Sequence, residues 1–175
     1  MKTILLTGGS GFIGSHICLL LLEKGYTVFS VDSYVNSSAE SLNRVKKLLT
    51  KNSFNKNNFY IFAGDLRDSE VIKNLFISAF NMGKPIEAVI HLAGLKSVKD
   101  STRDPIKYWD YNVNGTINLL GSMEEFRCNT IVFSSSATVY GKTNKLLNEN
   151  SNIQPVNPYG ITKLVIETLL KDISN

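Results

Sequence analysis

The chain has 175 residues, of which 43% are hydrophobic and 19% are charged, and its formal net charge is +4. This composition is typical of a globular protein and excludes an intrinsically disordered chain, while no apolar run reaches the roughly 18 residues that a membrane-spanning helix needs. The positive charge does not predict a nucleic-acid site, because the lysines are scattered and the densest stretch, residues 44–56, is mixed with asparagine and serine.

Two cysteines, Cys18 and Cys128, are too few for a disulfide framework and lack metal-binding spacing. We expect both to be buried as small hydrophobic side chains. The apolar run at residues 4–6 is interrupted by glycines before a signal-peptide core of about 7 residues can form. The sequence therefore predicts a cytoplasmic protein with no bound metal and with no membrane or nucleic-acid partner.

Short apolar runs alternate with helical segments along the chain. This order is typical of β-α-β units that build one parallel sheet with helices on both faces. We predict a doubly wound α/β fold in one domain over residues 1–175, with strands so apolar that neither sheet face meets water. The predicted strands are 3–7, 27–31, 58–62, 87–92 and 129–134, and the predicted helices are 12–24, 38–50, 69–81, 105–126 and 157–173.

The first predicted helix carries apolar residues at helical spacing, and a glycine at position 25 is expected to end it. Five side chains are expected on its buried face: Phe12, Ile13, Ile17, Leu20 and Leu21. The stretch 52–58 has neither periodicity nor apolar content, so it is expected to be a surface loop.

Residues 9–14 match the pattern G-x-G-x-x-G directly after the first predicted strand, and Gly8, Gly11 and Gly14 are also evenly spaced. Such glycines permit a tight turn, a close approach of backbone to a pyrophosphate and contact between helix and strand. Asp32 closes the next strand about 20 residues further on, where a carboxylate binds an adenosine ribose and repels a 2′-phosphate. The pattern predicts NAD in preference to NADP, the alternative being that the glycines form an ordinary turn and that Asp32 caps a helix.

Two further segments stand at predicted strand ends. Asp65 follows the third strand, and residues 91–94 end the fourth. Ligands of open α/β sheets bind outside the carboxyl ends of the strands, so we expect these segments to line the adenine and the nicotinamide ribose. The alternative is an ordinary strand-to-helix turn at each place.

Tyr159 and Lys163 lie four residues apart in the last predicted helix, so they share one helix face. A phenol is a poor base at neutral pH because its ordinary pKa is about 10, and an ammonium about 5 Å away would stabilise a phenolate by roughly 3 kcal/mol. Three serines, 134–136, leave the fifth strand. Together these residues predict proton transfer beside a redox cofactor, although a tyrosine–lysine pair can also be surface decoration. His16 and His91 have no partner spacing and are expected to be structural.

Four segments carry a resemblance to a known family: residues 7–16, 89–96, 112–116 and 133–141. The chain resembles the extended short-chain dehydrogenase/reductases, and within them the UDP-glucose 4-epimerases, from Lys2 to about Asp172. The resemblance implies a Rossmann-like fold and epimerisation at carbon 4 of a UDP-hexose, UDP-glucose or UDP-galactose, through a 4-keto intermediate with NAD as the cofactor.

The resemblance also implies roles for individual residues. Tyr159 would be the base, Lys163 would hold the ribose and favour the phenolate, and Ser136 would bridge to the sugar hydroxyl, so that Ser136 and Tyr159 contact the substrate. The implied NAD contacts are Gly8, Gly11, Phe12, Ile13, Gly14, Asp32, Ser33, Tyr34, Asn36, Ser37, Asp65, Leu66, Leu92, Ala93, Gly94, Lys96, Asn112, Ser134, Tyr159 and Lys163.

The chain departs from the family chiefly in length. Family members continue into a smaller C-terminal domain that binds the substrate, and only five strands are predicted here, so we expect the chain to be a fragment without that domain. A dinucleotide-binding module without turnover is therefore an alternative function. Whether N-acetylated hexoses are accepted stays open. The resemblance also implies that a second copy of the chain is a partner, in a homodimer formed through the helices near 105–126 and 157–173.

Other sugar-nucleotide enzymes share the predicted oxidation step. A 4,6-dehydratase needs an acid and a base just after the catalytic hydroxyl residue, and Ala137 and Thr138 occupy those positions. The dehydratase reading is therefore disfavoured. UDP-glucuronate epimerases or decarboxylases and sterol-type dehydrogenases remain alternatives.

Overall fold

A computed structural model describes residues 2–51, 56–142 and 146–174. They form two compact units. The first unit contains the residues up to Ala93 together with Asn118–Ser134, and the second contains Gly94–Ile117 together with the residues from Ser135 onward.

The first unit holds a parallel sheet with the strand order β3-β2-β1-β4-β5 among the described residues. The strands are β1 (Thr3–Thr7), β2 (Thr27–Asp32), β3 (Phe59–Ala63), β4 (Ala88–His91) and β5 (Ile131–Phe133). In the central register Leu5 pairs with Phe29 on one side and with Val89 on the other. The order reverses at β1, as in Rossmann-like sheets, so the predicted fold class is confirmed.

The helices are α1 (Phe12–Glu23), α2 (Glu40–Lys51), α3 (Ser69–Asn81), α4 (Val98–Arg103), α5 (Pro105–Tyr108), α6 (Gly115–Glu125) and α7 (Pro158–Ile173). Two apolar clusters cover opposite faces of the sheet. In one cluster Leu5 packs with Phe76 of α3 and Leu119 of α6. In the other, Leu6 packs with Cys18 of α1 and Val45 of α2. Because consecutive strand residues point to opposite faces, the sheet is wound on both sides.

Burial of the strands differs from the expectation of a sheet that is dry throughout. β1 and β2 are buried at every position, but β3 and β5 are only partly buried and Val132 is exposed. The expectation is wrong for β3 and β5 because they form the sheet edges, where one neighbour is missing. It is also wrong in part for β4, where Ala88 and Ile90 are half-buried.

The predicted buried face of α1 is also wrong in part. Phe12, Ile13 and Leu20 are exposed, whereas the side of the helix that carries Cys18 and Leu22 is buried. Apolar residues occupy nearly every position of the last two turns, so the sequence pattern did not define one face.

Both cysteines are free and buried, as predicted. Burial raises the pKa of the Cys18 thiol to about 12. In the described part of the chain, no helix combines the length and the apolar content required to cross a bilayer.

The second unit contains a helical stretch that the sequence predicts as one helix over 105–126. It consists of α5, a π-helical turn at Trp109–Asn114 and the start of α6. A π-helical turn inside a helix is rare, and the prediction of one continuous helix was wrong at this turn. The same unit contains a 3₁₀ turn at Ala137–Tyr140. The predicted loop over 52–58 falls largely outside the described residues, and its last three residues, Lys56–Asn58, form another 3₁₀ turn.

Candidate active site

In the first unit, the glycine turn between β1 and α1 is closed by backbone contacts. Gly8 has φ 70°, and a methyl group there would lie 2.7 Å from the backbone nitrogen of Ala93. A methyl group on Gly14 would lie 2.2 Å from the carbonyl oxygen of Gly8. Real Cβ atoms do not approach backbone so closely, so larger residues at these two positions would force the turn apart.

The N-terminus of α1 is open to an anion. Gly11 caps the helix without a side-chain acceptor for the amides of the first turn. Amides at a helix N-terminus that lack such acceptors bind phosphate, and the helix dipole adds to the attraction. Phe12, the first residue of α1, is 78% exposed, and Ile13 beside it is exposed too. The turn and the helix end therefore fit a dinucleotide pyrophosphate.

Asp32 ends β2 with its carboxylate fixed by the protein and 7% exposed. One oxygen accepts the backbone N–H of Ser10 at 2.9 Å. The other accepts the backbone N–H of Tyr34 at 2.9 Å and the hydroxyl of Ser37 at 2.7 Å. A carboxylate can accept about four hydrogen bonds, so capacity remains for a ribose hydroxyl. Tyr34 reaches Asp32 through a left-handed backbone conformation with φ 58°.

Asp65 follows β3 and is bound to a residue that the sequence analysis did not consider. Its carboxylate pairs with the Arg67 guanidinium at 2.8 Å, and the hydrogen bonds from Arg67 hold the carboxyl pKa below its usual range. Leu66 belongs to the core, and its carbonyl accepts the Asn118 side-chain amide at 3.0 Å. The two predicted cofactor contacts at this strand end are thus held by their own neighbours.

Thr7 organises the end of β4. Its hydroxyl oxygen accepts the backbone N–H groups of Leu92 and Ala93, both at 3.2 Å. The same hydroxyl lies 2.7 Å from Nδ1 of the buried His91. Because the oxygen already accepts two amides, its own proton points to Nδ1, which assigns the ring proton to Nε2. His91 therefore has a structural role, as expected.

In the second unit, α7 begins at Pro158 behind an Asn157 cap whose side-chain oxygen accepts the Gly160 N–H at 2.8 Å. Tyr159 in the first turn is 8% exposed and packs edge-on against Tyr108, with ring centroids 6.4 Å apart. Tyr159 is therefore a buried phenol and not surface decoration.

Lys163 lies one helical turn after Tyr159 and is 5% exposed. Its ammonium is close to Gly94, because a methyl group on that glycine would lie 3.9 Å from Nζ. Burial lowers the pKa of Lys163 to about 8, and the Glu167 carboxylate acts in the opposite direction. Buried lysines are rare without a functional reason, so this position is a candidate for chemistry.

The serines after β5 divide between the two units. Ser134 belongs to the first, where its N–H donates to the His91 carbonyl at 3.1 Å. Ser136 belongs to the second and caps the 3₁₀ turn, accepting the N–H of Thr138 at 3.2 Å and its hydroxyl at 2.9 Å. Since both contacts use the oxygen as acceptor, the Ser136 hydroxyl keeps a proton that it can donate.

Asn112 lies buried in the π-helical turn with its side-chain amide engaged. Its oxygen accepts the N–H of Leu95 at 2.8 Å, and its nitrogen donates to the Leu95 carbonyl at 3.0 Å and to the Thr162 hydroxyl at 3.1 Å. Asn112 thus joins the segment that follows Gly94 to the residue before Lys163. Its contact with a cofactor remains a prediction.

The other predicted contacts are spread over both units. Ser33 and Asn36 are exposed near Asp32, Leu92 and Ala93 are half-buried after β4, and in the second unit Gly94 is half-buried and Lys96 is exposed. Around them, the sequence analysis missed Thr7, Arg67, Asn118, Thr162 and Glu167. A usable signal existed for Glu167, which repeats the four-residue spacing of Tyr159 and Lys163. The described residues contain no group of three His, Cys, Asp or Glu side chains that could hold a metal ion.

A Rossmann-like sheet whose first strand leads through a glycine turn into an open helix N-terminus is typical of the dinucleotide-binding class of α/β proteins. The family model described as GDP-mannose 4,6 dehydratase matches residues 5–175. The chain therefore belongs to this family.

Its relatives include UDP-glucose 4-epimerases. The chain is 46% identical over 173 residues to UDP-glucose 4-epimerase 2 of Arabidopsis thaliana, a match that covers 98% of this chain and 47% of the relative. It is similar to the crystal structure of UDP-glucose 4-epimerase from Stenotrophomonas maltophila with bound NAD and formylated UDP-arabinopyranose, with a TM-score of 0.87 and 38% identity over 99% of this chain and 48% of that one. The epimerase from Bifidobacterium longum in complex with NAD+ and UDP matches with a TM-score of 0.86 and 40% identity over 98% of this chain and 49% of that one.

These comparisons confirm the predicted resemblance to the N-terminal part of UDP-glucose 4-epimerases. The chain spans about half the length of the relatives that it matches.

Proposed function

We propose that this chain is the NAD-binding and catalytic part of an enzyme that interconverts UDP-glucose and UDP-galactose by epimerisation at carbon 4. The observation that carries the proposal is the burial of Tyr159 and Lys163 one turn apart on α7, with the lysine pKa lowered to about 8. A lysine that is retained in a desolvated position has a cost in stability, and such a cost is typical of functional sites.

The first unit contributes the binding of the cofactor. The amides at the start of α1 hold the pyrophosphate, and Asp32 accepts hydrogen bonds from the adenosine ribose, which selects NAD over NADP. NAD supplies a reversible acceptor for the hydride of carbon 4.

The second unit contributes the proton chemistry. Tyr159 takes the proton of the carbon 4 hydroxyl while the carbon 4 hydrogen leaves as a hydride, and it returns the proton when the hydride comes back to the opposite face of the 4-keto sugar. The Lys163 ammonium stabilises the negative charge that the Tyr159 oxygen carries before it takes this proton and again after it returns it. Ser136 donates its remaining hydrogen bond to the sugar oxygen at carbon 4.

The description of the family model names a 4,6-dehydratase, but the residues after Ser136 favour epimerisation. Elimination of water would need an acid and a base there. Ala137 has neither group, and both the N–H and the hydroxyl of Thr138 donate to the Ser136 oxygen.

The proposal includes a homodimer and a cytoplasmic location. The exposed Ile117 of α6 and Ile161 of α7 are apolar side chains that a second copy would cover. The free, buried cysteines are compatible with a reducing compartment. The sugar is UDP-glucose or UDP-galactose, and acceptance of N-acetylated hexoses is decided by assaying both kinds of substrate.

The test replaces Tyr159 by Phe in the full-length protein that carries this chain. We expect bound NAD to be retained and the conversion of UDP-galactose to UDP-glucose to fall at least a hundredfold, because only the phenol oxygen is removed. Tyr108→Phe is the matched control, since it removes a hydroxyl from the same aromatic cluster. Activity that survives in Tyr159→Phe contradicts the assignment.

A dinucleotide-binding module without turnover is the second candidate function, because the chain spans about half the length of its relatives. We expect the 175-residue chain to bind NAD and to epimerise UDP-galactose poorly or not at all. Turnover of the isolated chain at the rate of ordinary enzymes, about 10 per second, would refute this second candidate.

A further inference from the structure

Glu167 connects two parts of the second unit. Its carboxylate accepts a hydrogen bond from the Ser135 hydroxyl. It also lies one helical turn after Lys163 and two turns after Tyr159, so the three side chains follow one another on the same side of α7. Glu167 is therefore linked to Ser135 by a hydrogen bond and to Lys163 by its position on the helix.

We propose that Glu167 is a positioning residue of the reaction site, which fixes the Ser135–Ser136 segment through the Ser135 hydroxyl and stabilises the charged form of Lys163. The inference rests on the proposed function, because it assigns Glu167 a role through Ser136 and Lys163.

The first part of the role concerns the serines. A hydroxyl that donates to a carboxylate forms a charge-assisted hydrogen bond, which is roughly twice as strong as a neutral one. Ser135 is adjacent to Ser136, so this bond restrains the backbone that carries the donor hydroxyl. A serine hydroxyl must be held within about half an ångström of its working position to act on a substrate oxygen.

The second part concerns the lysine. Burial lowers the pKa of Lys163, and the Glu167 charge raises it. Without this carboxylate the ammonium would lose its proton at a lower pH. Glu167 thus offsets part of the cost of burying the cation.

Other titratable groups lie on the elements packed against α7. The titratable side chains of α4 and the lysine of α5 are exposed. The other titratable side chains are tyrosines and one aspartate on α5, on the π-helical turn and on the 3₁₀ turn. In the described chain these groups are Lys99, Asp100, Arg103, Lys107, Tyr108, Asp110, Tyr111 and Tyr140. The charge that acts on the Lys163 pKa against burial is Glu167.

The test measures the titration of Lys163 directly, by NMR of the lysine ¹³Cε signals in the full-length protein, with Lys163→Met to assign the signal. Glu167→Gln keeps the size of the side chain and removes its charge. We expect it to lower the titration midpoint by about one pH unit. Glu149→Gln, the same change at an exposed carboxylate of the second unit, is the control and should leave the midpoint unchanged.

A second variant, Ser135→Ala, removes the hydroxyl and keeps the carboxylate. We expect the Lys163 midpoint to remain within about 0.3 of the wild-type value and kcat to fall about tenfold with little change in KM, a loss equivalent to about 1.4 kcal/mol. This variant tests the role of Glu167 even where Glu167→Gln does not fold.

An unchanged midpoint in Glu167→Gln overturns the proposal, and so does wild-type kcat in Ser135→Ala. The titration needs neither NAD nor turnover. A lowered midpoint in a protein that fails to bind NAD would therefore refute the proposed function and leave the electrostatic role of Glu167 standing.

Discussion

Replacement of Gly8 by Ala tests the glycine turn against a matched position. Gly8 and Gly25 both have positive φ, 70° and 83°. A methyl group on Gly8 would meet backbone atoms at 2.7 to 2.9 Å, whereas one on Gly25 would meet no described atom within 4 Å. The two substitutions therefore share the conformational cost and differ in the steric one.

The shared cost of a left-handed alanine is about 1–2 kcal/mol. At Gly8 the backbone around Ala93 must also move, and such overpacking adds about 1–3 kcal/mol. We expect the free energy of unfolding to fall by about 1–2 kcal/mol in Gly25→Ala and by about 2–5 kcal/mol in Gly8→Ala.

The assay is urea unfolding of both variants, followed by NAD titration under conditions in which each remains folded. Gly25→Ala should keep wild-type affinity, while Gly8→Ala should lose at least about tenfold, or 1.4 kcal/mol. Equal stability and equal affinity in the two variants would show that contact with the backbone does not determine the turn.

Three further substitutions test single groups. Lys163→Met should raise the free energy of unfolding at pH 7 by about 3 kcal/mol, because the folded pKa of Lys163, about 8, lies well below the ordinary 10.5. Urea unfolding should show this gain shrinking between pH 8 and pH 10.5, because the stability of the wild type itself rises over that range. Asp32→Asn should weaken NADH binding about tenfold and reduce the preference over NADPH in fluorescence titrations, because the charge that repels the 2′-phosphate is lost. Thr7→Val keeps the shape but removes the hydroxyl that accepts the Ala93 amide and contacts Nδ1 of His91, while the Leu92 amide keeps the Thr7 carbonyl as an acceptor. We expect this loss to cost about 2 kcal/mol in urea unfolding.

A Lys163→Met protein that is less stable than the wild type at pH 7 would mean that the ammonium is better compensated than its lowered pKa indicates. An unchanged preference for NADH in Asp32→Asn would remove the carboxylate from cofactor selection. Wild-type stability in Thr7→Val would show that water replaces the hydroxyl.

The sequence predicted the first unit well because its signals are local and agree with each other. The apolar run of β1, the glycines that follow and Asp32 at the end of β2 each indicate the same dinucleotide fold. The observed strand bounds differ from the predicted ones by few residues. The buried face of α1 could not be predicted from the sequence of the helix alone. It depends on which side of an almost wholly apolar helix meets Leu6 and Val28 of the sheet.

Side-chain partners were harder to predict than elements. Arg67, two residues after Asp65, pairs with its carboxylate, and the sequence did not predict this partner. Contact of Asp65 with a cofactor stays a prediction. Glu167 and Ser135 are 32 residues apart in sequence, and no spacing rule joins a strand exit to the fourth position after a helical lysine. Such pairs follow from the tertiary fold, which periodicity does not encode.

The central claim is that the hydrogen removed from carbon 4 returns to carbon 4 with Tyr159 as the proton acceptor. The most direct measurement incubates the full-length protein and NAD with UDP-galactose that carries deuterium at carbon 4, and determines by mass spectrometry and NMR where the label lies in the UDP-glucose formed. We predict that the deuterium is retained at carbon 4 and that Tyr159→Phe forms no labelled product. Loss of the label to water, or product that forms without the phenol, would contradict the account.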